Sequence, residues 1–294
     1  MTDQEWLAER FETHRAHLRG VAYRMLGSLS EADDAVQEAW IRLSRTDTND
    51  VENLRAWLTT VVGRVCLNLL RSRRTRREGP LDVHVADPIV SPVEGTDPEY
   101  EALLGDSIGL ALLAVLESLS PAERIAFVLH DVFAVPFDDI APIVGRSSAA
   151  TRQLASRGRR RVQGAPVPDT DLHGQWSVVE AFLAASRDGD FERLLTVLDP
   201  DVVLRSDGGD ARPRLDQLVR GREAVASNAL LFRNLAATAS RTLVNGVPGG
   251  VVWSPDGSPF AVLAFTVAGG RIVAVDVLVA PDRLARLDLH ALAD

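Results

Sequence analysis

The sequence predicts a multidomain chain: two all-α helical modules, the second a helix-turn-helix, followed by an α+β domain. Three observations carry this. Apolar residues recur at helical spacing through most of residues 1–163. Stretches rich in Pro, Gly and acids interrupt the pattern at 79–104 and 164–169. From 170 onward, extended apolar segments alternate with turn dipeptides. At 294 residues the chain is long enough for two or three separate cores.

The elements follow in order. Thr2-Asp-Gln-Glu5 is a capping box that opens a first helix, and Ser30-Glu-Ala-Asp33 nearly matches a second. Beyond Ser30, Ala32, Ala35, Val36, Ala39, Trp40 and Leu43 share one face, with Glu31, Asp34 and Glu38 opposite. A third helix begins near Asn53, runs through Leu54, Trp57, Leu58, Val61, Val62, Val65 and Leu69, and ends in RSRRTRR. Residues 79–104 contain four Pro, two Gly and no Arg, the composition of a tether. A second helical module spans 105–163, where Ser120-Pro-Ala-Glu123 supplies an N-cap, Pro at N1 and Glu at N3. After the linker 164–169, a helix over QWSVVEAFLAASRDGD precedes the strand-like VVLRS and a helix around Arg222–Phe232. Then GGVVWS, FAVLAFTV and RIVAVDVLVA read as strands, with hairpin turns at Ser254-Pro-Asp-Gly257 and Ala268-Gly-Gly270.

A hydrophobic fraction of 46% and a charged fraction of 25% exclude wholesale disorder. The net charge of -9 excludes a protein that coats nucleic acid over its whole surface. Against that background residues 146–161 hold six Arg and no acid, which calls for a local anionic partner, with DNA the leading candidate. All 32 basic side chains are Arg, so Arg at any one site carries little weight as a choice over Lys. Cys66 stands alone, without a partner for a disulfide or a zinc site, and reads as a small core residue. The acidic start lacks signal-peptide order and no apolar run reaches about 18–20 residues, so a cytoplasmic chain without membrane contact is expected.

Residues 136–162, PFDDIAPIVGRSSAATRQLASRGRRRV, fit helix, tight turn, helix. Asp138 and Asp139 suit a first helical turn, Ile140, Ile143 and Val144 a buried face, and Gly145 a left-handed turn. Pro142 breaks a local rule by removing a backbone donor inside that helix. Ser147 or Ser148 caps the second helix, on which Thr151, Leu154 and Ala155 turn inward while Arg152, Ser156, Arg157 and Arg159 reach a groove. A second cluster, Arg64, Arg71, Arg73, Arg74, Arg76 and Arg77, follows Trp57 on one helix and suits a partly opened duplex.

These residues resemble a family. EADDAVQEAWIRL (31–43), NLRAWLTTVVGRVCLNLLRSRR (53–74) and the segment LSPAERIAF…RGRRRV (119–162) are similar to the two modules of extracytoplasmic-function bacterial sigma factors, over roughly residues 5–163. The resemblance implies that Asp33, Asp34, Gln37 and Glu38 engage the clamp of core RNA polymerase, with the second module near its flap. It implies a minus-ten reader with Trp57, Arg64, Asn68, Arg71, Arg73, Arg74 and Arg76 toward DNA, and a loop SRTDTNDVEN (44–53) placed to capture a flipped base. It implies a minus-35 helix using Arg146, Ser147, Ser148, Ala150, Thr151, Arg152, Ser156, Arg157 and Arg159. Neither a cofactor nor a metal is implied, and a separate anti-sigma factor is not required.

Residues 170–294 resemble the SnoaL-like, nuclear-transport-factor-2-like cone appended to some of these sigma factors. Asp207-Gly208-Gly209 matches most of an Asp-Gly-Gly-Gly motif, departing at Asp210; Pro281-Asp282 matches the centre of Asn-Pro-Asp-Lys-Leu, departing at Ala280 and Arg283. GPLDVHVADPIV replaces the Trp-Leu-Pro-Glu-Pro linker of one subgroup. Such cones enclose an apolar pocket, and Asp201, Asp207, Asp276 and Trp253 are the candidates for acid–base work or ligand contact in it. The acidic tether and a cone with 17 acids against 12 Arg could also lie against the Arg-rich modules and hold them compact, so a regulatory cone is expected. Two other readings stay open: an effector-responsive regulator that binds DNA without polymerase, and an enzyme with an appended DNA module.

Overall fold

The computed structural model describes residues 3–46, 53–76, 83–93, 110–165, 167–236, 238–287 and 289. They fall into two compact units: a helical one drawn from 3–76 and 115–165, and an α+β one drawn from 83–93, 110–114 and 167–289.

The helical unit begins with α1 (Asp3–Leu26), α2 (Leu29–Leu43) and α3 (Leu54–Arg76). Thr2 lies outside the described residues. The cap of α2 is Ser28, whose hydroxyl accepts from the Glu31 amide, two residues earlier than the near-match at Ser30 predicts. Ala32, Ala35, Val36, Ala39 and Leu43 of α2 are buried, as their spacing requires. Asn53 accepts from the Ala56 amide at 3.0 Å and starts α3.

After β1 (Val90–Ser91), described below, come α4 (Leu110–Glu117), α5 (Pro121–Phe127), a π turn (Val128–Val132), α6 (Phe137–Val144) and α7 (Ser148–Gln163). The Ser120–Glu123 capping box closes reciprocally. Gly145 takes φ 68° between α6 and α7, the left-handed conformation that the tight turn needs. Pro142 stays within α6, which ends two residues later. A Cβ at Gly158 would lie 2.9 Å from Phe127 Cβ, so the close crossing of α7 over α5 depends on glycine there.

The two helical modules, separable in sequence, share an interface. A Cβ built on Gly63 of α3 would sit 3.3 Å from methyl carbons of Ile143 on α6 and of Leu129. The buried Arg124 of α5 donates to the carbonyls of Met25, at the end of α1, and Leu116, each at 2.7 Å. His17 of α1 meets Phe133 edge-on, with ring centroids 5.3 Å apart.

The α+β unit contains α8 (Leu172–Asp188), α9 (Phe191–Val197), β2 (Leu198–Asp207), a 3-10 turn (Pro213–Leu215), β3 (Gln217–Arg220), α10 (Arg222–Leu231), α11 (Arg233–Ala236), β4 (Ala239–Val244), β5 (Val247–Trp253), β6 (Pro259–Ala268), β7 (Arg271–Leu278) and α12 (Pro281–Leu284). The open sheet runs β1-β4-β5-β6-β7-β2-β3, antiparallel except for β2 beside β7. Trp176, Val179 and Phe182 of α8 pack with Val225 and Ala226 of α10 on Phe265 and Val275 of the sheet. The β6–β7 turn sits at Gly269-Gly270, whose amides donate to the Asp169 carboxylate at 2.8 and 2.9 Å, so the end of the second linker is docked.

The tether reading of 79–104 needs correction over 83–93. Val85, Ala86, Ile89 and Val90 are buried, and β1 adds an antiparallel strand beside β4. The Val85 amide donates to Asp207 at 2.9 Å and the Ile89 amide to the Asn245 side chain at 2.9 Å. Apolar side chains and long-range acceptors outweigh the Pro-rich composition. The remaining tether acids, Asp82, Glu94, Asp97, Glu99, Glu101 and Asp106, lie outside the described residues.

Candidate nucleic-acid interface

On α7, the Ser147 hydroxyl accepts from the Ala150 amide at 3.3 Å and Ser148 donates to Asp138, so both hydroxyls serve the turn. Ala149, Arg152, Gln153, Arg157 and Arg160 are exposed, with Ser156 and Ala150 half-buried between them; steps of three and four make one helical face. Arg146, in the turn, is exposed as well. The Arg152 guanidinium rests 5.3 Å from the centre of the Phe137 ring, which orients it.

Two of the expected contacts fall elsewhere. Thr151 is fully buried, its hydroxyl donating to the Ser147 carbonyl at 3.0 Å. Arg159 is drawn to the Asp131 carboxylate by two donors and is half-buried. Gln153 and Arg160 were legible as members of the same stripe and are absent from the expected set.

On α3, Arg64, Asn68 and Arg71 are exposed and again three and four residues apart. Trp57, half-buried, and Arg64 line a surface hollow with Thr60 and Val61 of α3 and with Arg42, Arg45 and Thr46 at the end of α2. An aromatic plane ringed by guanidinium groups can stack an unpaired base and hold its phosphate. Arg73 points away: it pairs with Glu31 and donates to the Leu26 carbonyl at 2.7 Å, tying α3 to the α1–α2 turn. The side chains of Arg74 and Arg76, all of Arg77, and residues 47–52 of the loop expected to capture a base lie outside the described residues. Burial pushes the Cys66 thiol up, so it stays protonated and inert.

On α2, Asp34 and Gln37 are exposed. Asp33 binds Arg19 at 2.7 Å and Glu38 binds Arg42 at 2.8 Å.

Residues 10–76 match the family model Sigma-70 region 2, and residues 109–162 match Sigma-70, region 4. A Mycobacterium tuberculosis protein named "Probable ECF RNA polymerase sigma factor SigI" is 37% identical, over 97% of each chain. This chain is an extracytoplasmic-function sigma factor. The ECF RNA polymerase sigma factor SigJ of Mycobacterium tuberculosis is 36% identical over 93% of this chain and 91% of its own. Its crystal structure superposes with a TM-score of 0.79, at 35% identity, covering 96% of this chain and 99% of that one.

In this sigma factor the C-terminal motifs form a charged corner. Asp207, at the end of β2, meets Arg283 at 2.7 Å and His84 at 2.9 Å, and Arg283 also pairs with Asp87. Burial alone would raise the Asp207 carboxyl; His84, Arg283 and the Val85 amide outweigh it and hold the group well below the carboxylate range. A Cβ at Gly208 would collide with the Arg212 carbonyl, and Gly209 takes φ 58°. Pro281 starts α12, and Asp282 is exposed.

The remaining candidates do not converge. Asp276 is buried against Arg205 at 2.6 Å on the sheet face opposite the apolar interior, because it alternates with Val275 and Val277. Asp201 is exposed, and Trp253 donates to Ser240 at 2.9 Å. Among the described residues no group of three His, Cys, Asp or Glu could hold a metal, and no helix is long and apolar enough to cross a membrane.

Proposed function

We propose that α3, with Trp57, Arg64, Asn68 and Arg71, reads and opens the minus-ten element, that Arg146, Arg152, Arg157 and Arg160 bring α7 to the minus-35 element, and that α2 meets the polymerase clamp through Asp34 and Gln37. The protein acts in the cytoplasm and performs no chemistry of its own; the polymerase does. The arrangement of the helical unit is a closed state. Elements named for positions ten and thirty-five are ~25 base pairs apart, roughly 85 Å at 3.4 Å per pair. With Gly63 of α3 against Ile143 of α6, and α7 following α6 by one turn, the two reading helices belong to one bundle and lie far closer together than that. That contact carries the reading: the modules must separate to read one promoter.

The C-terminal unit regulates the separation. The segment that joins the two modules is anchored on it through Val85, Asp87 and β1, so the cone holds the connector that opening must move. Spin labels at Asn68→Cys and Arg157→Cys test the opening. The expected result is a short distance in the isolated protein that lengthens by tens of Å on core polymerase with promoter DNA, together with promoter-dependent run-off transcription. An unchanged distance in a transcribing complex overturns the closed-state reading.

A further inference from the structure

Between α8, α10 and the inner face of the sheet lies a cavity of about 110 Å³, bounded by Phe182, Ser186, Asn228, Phe265, Val275 and Val277. Phe232, at the end of α10, both lines the cavity and is exposed, so the cavity opens there. None of its described lining residues is charged. Strand alternation explains this: Leu204 and Ser206 line it while Arg205 between them faces the other way, and Val275 and Val277 line it while Asp276 faces the other way.

Ser186 adds a second, independent observation. It is 2% exposed, lines the cavity, and its hydroxyl has no hydrogen-bond partner. A serine inside a helix can satisfy itself on the carbonyl four residues back, and this one does not. The other polar groups of the lining are neutral as well: among them the Asn228 side-chain amide donates to the Gln217 side-chain carbonyl oxygen at 2.7 Å.

We infer that this cavity is a binding site for a small uncharged molecule with an apolar body and one hydrogen-bonding oxygen, which the Ser186 hydroxyl holds. Size sets the scale of the ligand, because an apolar cavity of ~150 Å³ accommodates benzene; this one is somewhat smaller but open at Phe232, so it suits a single ring that reaches into the mouth. Charge limits it further, since an ion would leave water for walls that offer no counter-charge. Binding here depends on the cavity alone, whether or not the cone regulates transcription.

Titration of the full chain with cyclohexanone, methylcyclohexane and cyclohexanecarboxylate, followed by ligand-observed NMR, tests the assignment. Cyclohexanone is expected to bind at least ~10-fold more tightly than the carboxylate. Ser186→Ala should weaken cyclohexanone by about 3- to 10-fold and leave methylcyclohexane within about 2-fold. Ala229→Trp, which fills the cavity from α10, should abolish binding of both, with circular dichroism reporting that the chain stays folded. If Ala229→Trp unfolds, the Ser186→Ala comparison decides alone. Equal binding of the carboxylate, an unchanged cyclohexanone affinity in Ser186→Ala, or no binding of any probe up to its solubility overturns the inference.

Discussion

Arg71 and Arg73 are two positions apart on α3, and the about 200° between them on a helix separates a solvent-facing side chain from a structural one. Arg73 holds Glu31 and the Leu26 carbonyl, so Arg73→Ala should lower stability by about 1–2 kcal/mol, discounted for partial exposure. Arg64→Ala should leave the melting temperature unchanged and reduce promoter opening; calorimetry beside permanganate footprinting separates the two. Helical phase was readable from sequence, but the choice of which Arg turns inward was not, because Glu31 lies 42 residues away. His17 gives a pH dependence. Burial first, then Arg55, His14 and Arg24, push its pKa down to about 4. The unfolded chain therefore takes up the proton more readily, and stability present above about pH 6.5 is lost progressively down to about pH 4. His17→Gln should flatten that part of the melting-temperature profile between pH 7 and 4.

At the level of elements, α7 combines a capped start, a left-handed glycine and an exposed Arg row, all encoded within 27 residues of sequence. Local signals of this kind made the helix-turn-helix and the Gly-containing hairpins legible. Arg152→Ala and Arg157→Ala should each weaken holoenzyme binding to promoters nearly uniformly and reduce the slope of log affinity against log salt by about 1. A base-specific loss with no change of slope would contradict a phosphate contact. The strap at 83–93 shows the opposite case. Its anchors, Asp207 and Asn245, stand 122 and 156 residues away, and nothing in a Pro-rich acidic segment announces them. Asp207→Ala removes the acceptor of the Val85 amide and a partner of Arg283 and His84, at a cost of about 2–4 kcal/mol. Hydrogen exchange at Val85 should accelerate while α7 amides keep their protection.

The whole molecule combines two needs that oppose each other. DNA-reading helices must be exposed, yet modules that also bury apolar surface against each other gain stability when they close. Gly63 sits where these needs meet, because its missing side chain lets α3 approach Ile143 and Leu129 closely. A Leu there has no space and forces either local strain, about 1–3 kcal/mol, or separation of the modules. If the closed state restrains promoter engagement, Gly63→Leu should lower the melting temperature and raise run-off transcription at limiting core polymerase. On the closed-state reading, the energy lost from the closed form is not lost from the polymerase-bound form, in which that contact would already be broken. A variant that melts earlier and transcribes less would instead mean that α3 needs its α6 support to read DNA. The two outcomes differ in sign, so a single titration of core polymerase distinguishes a restraint from a scaffold.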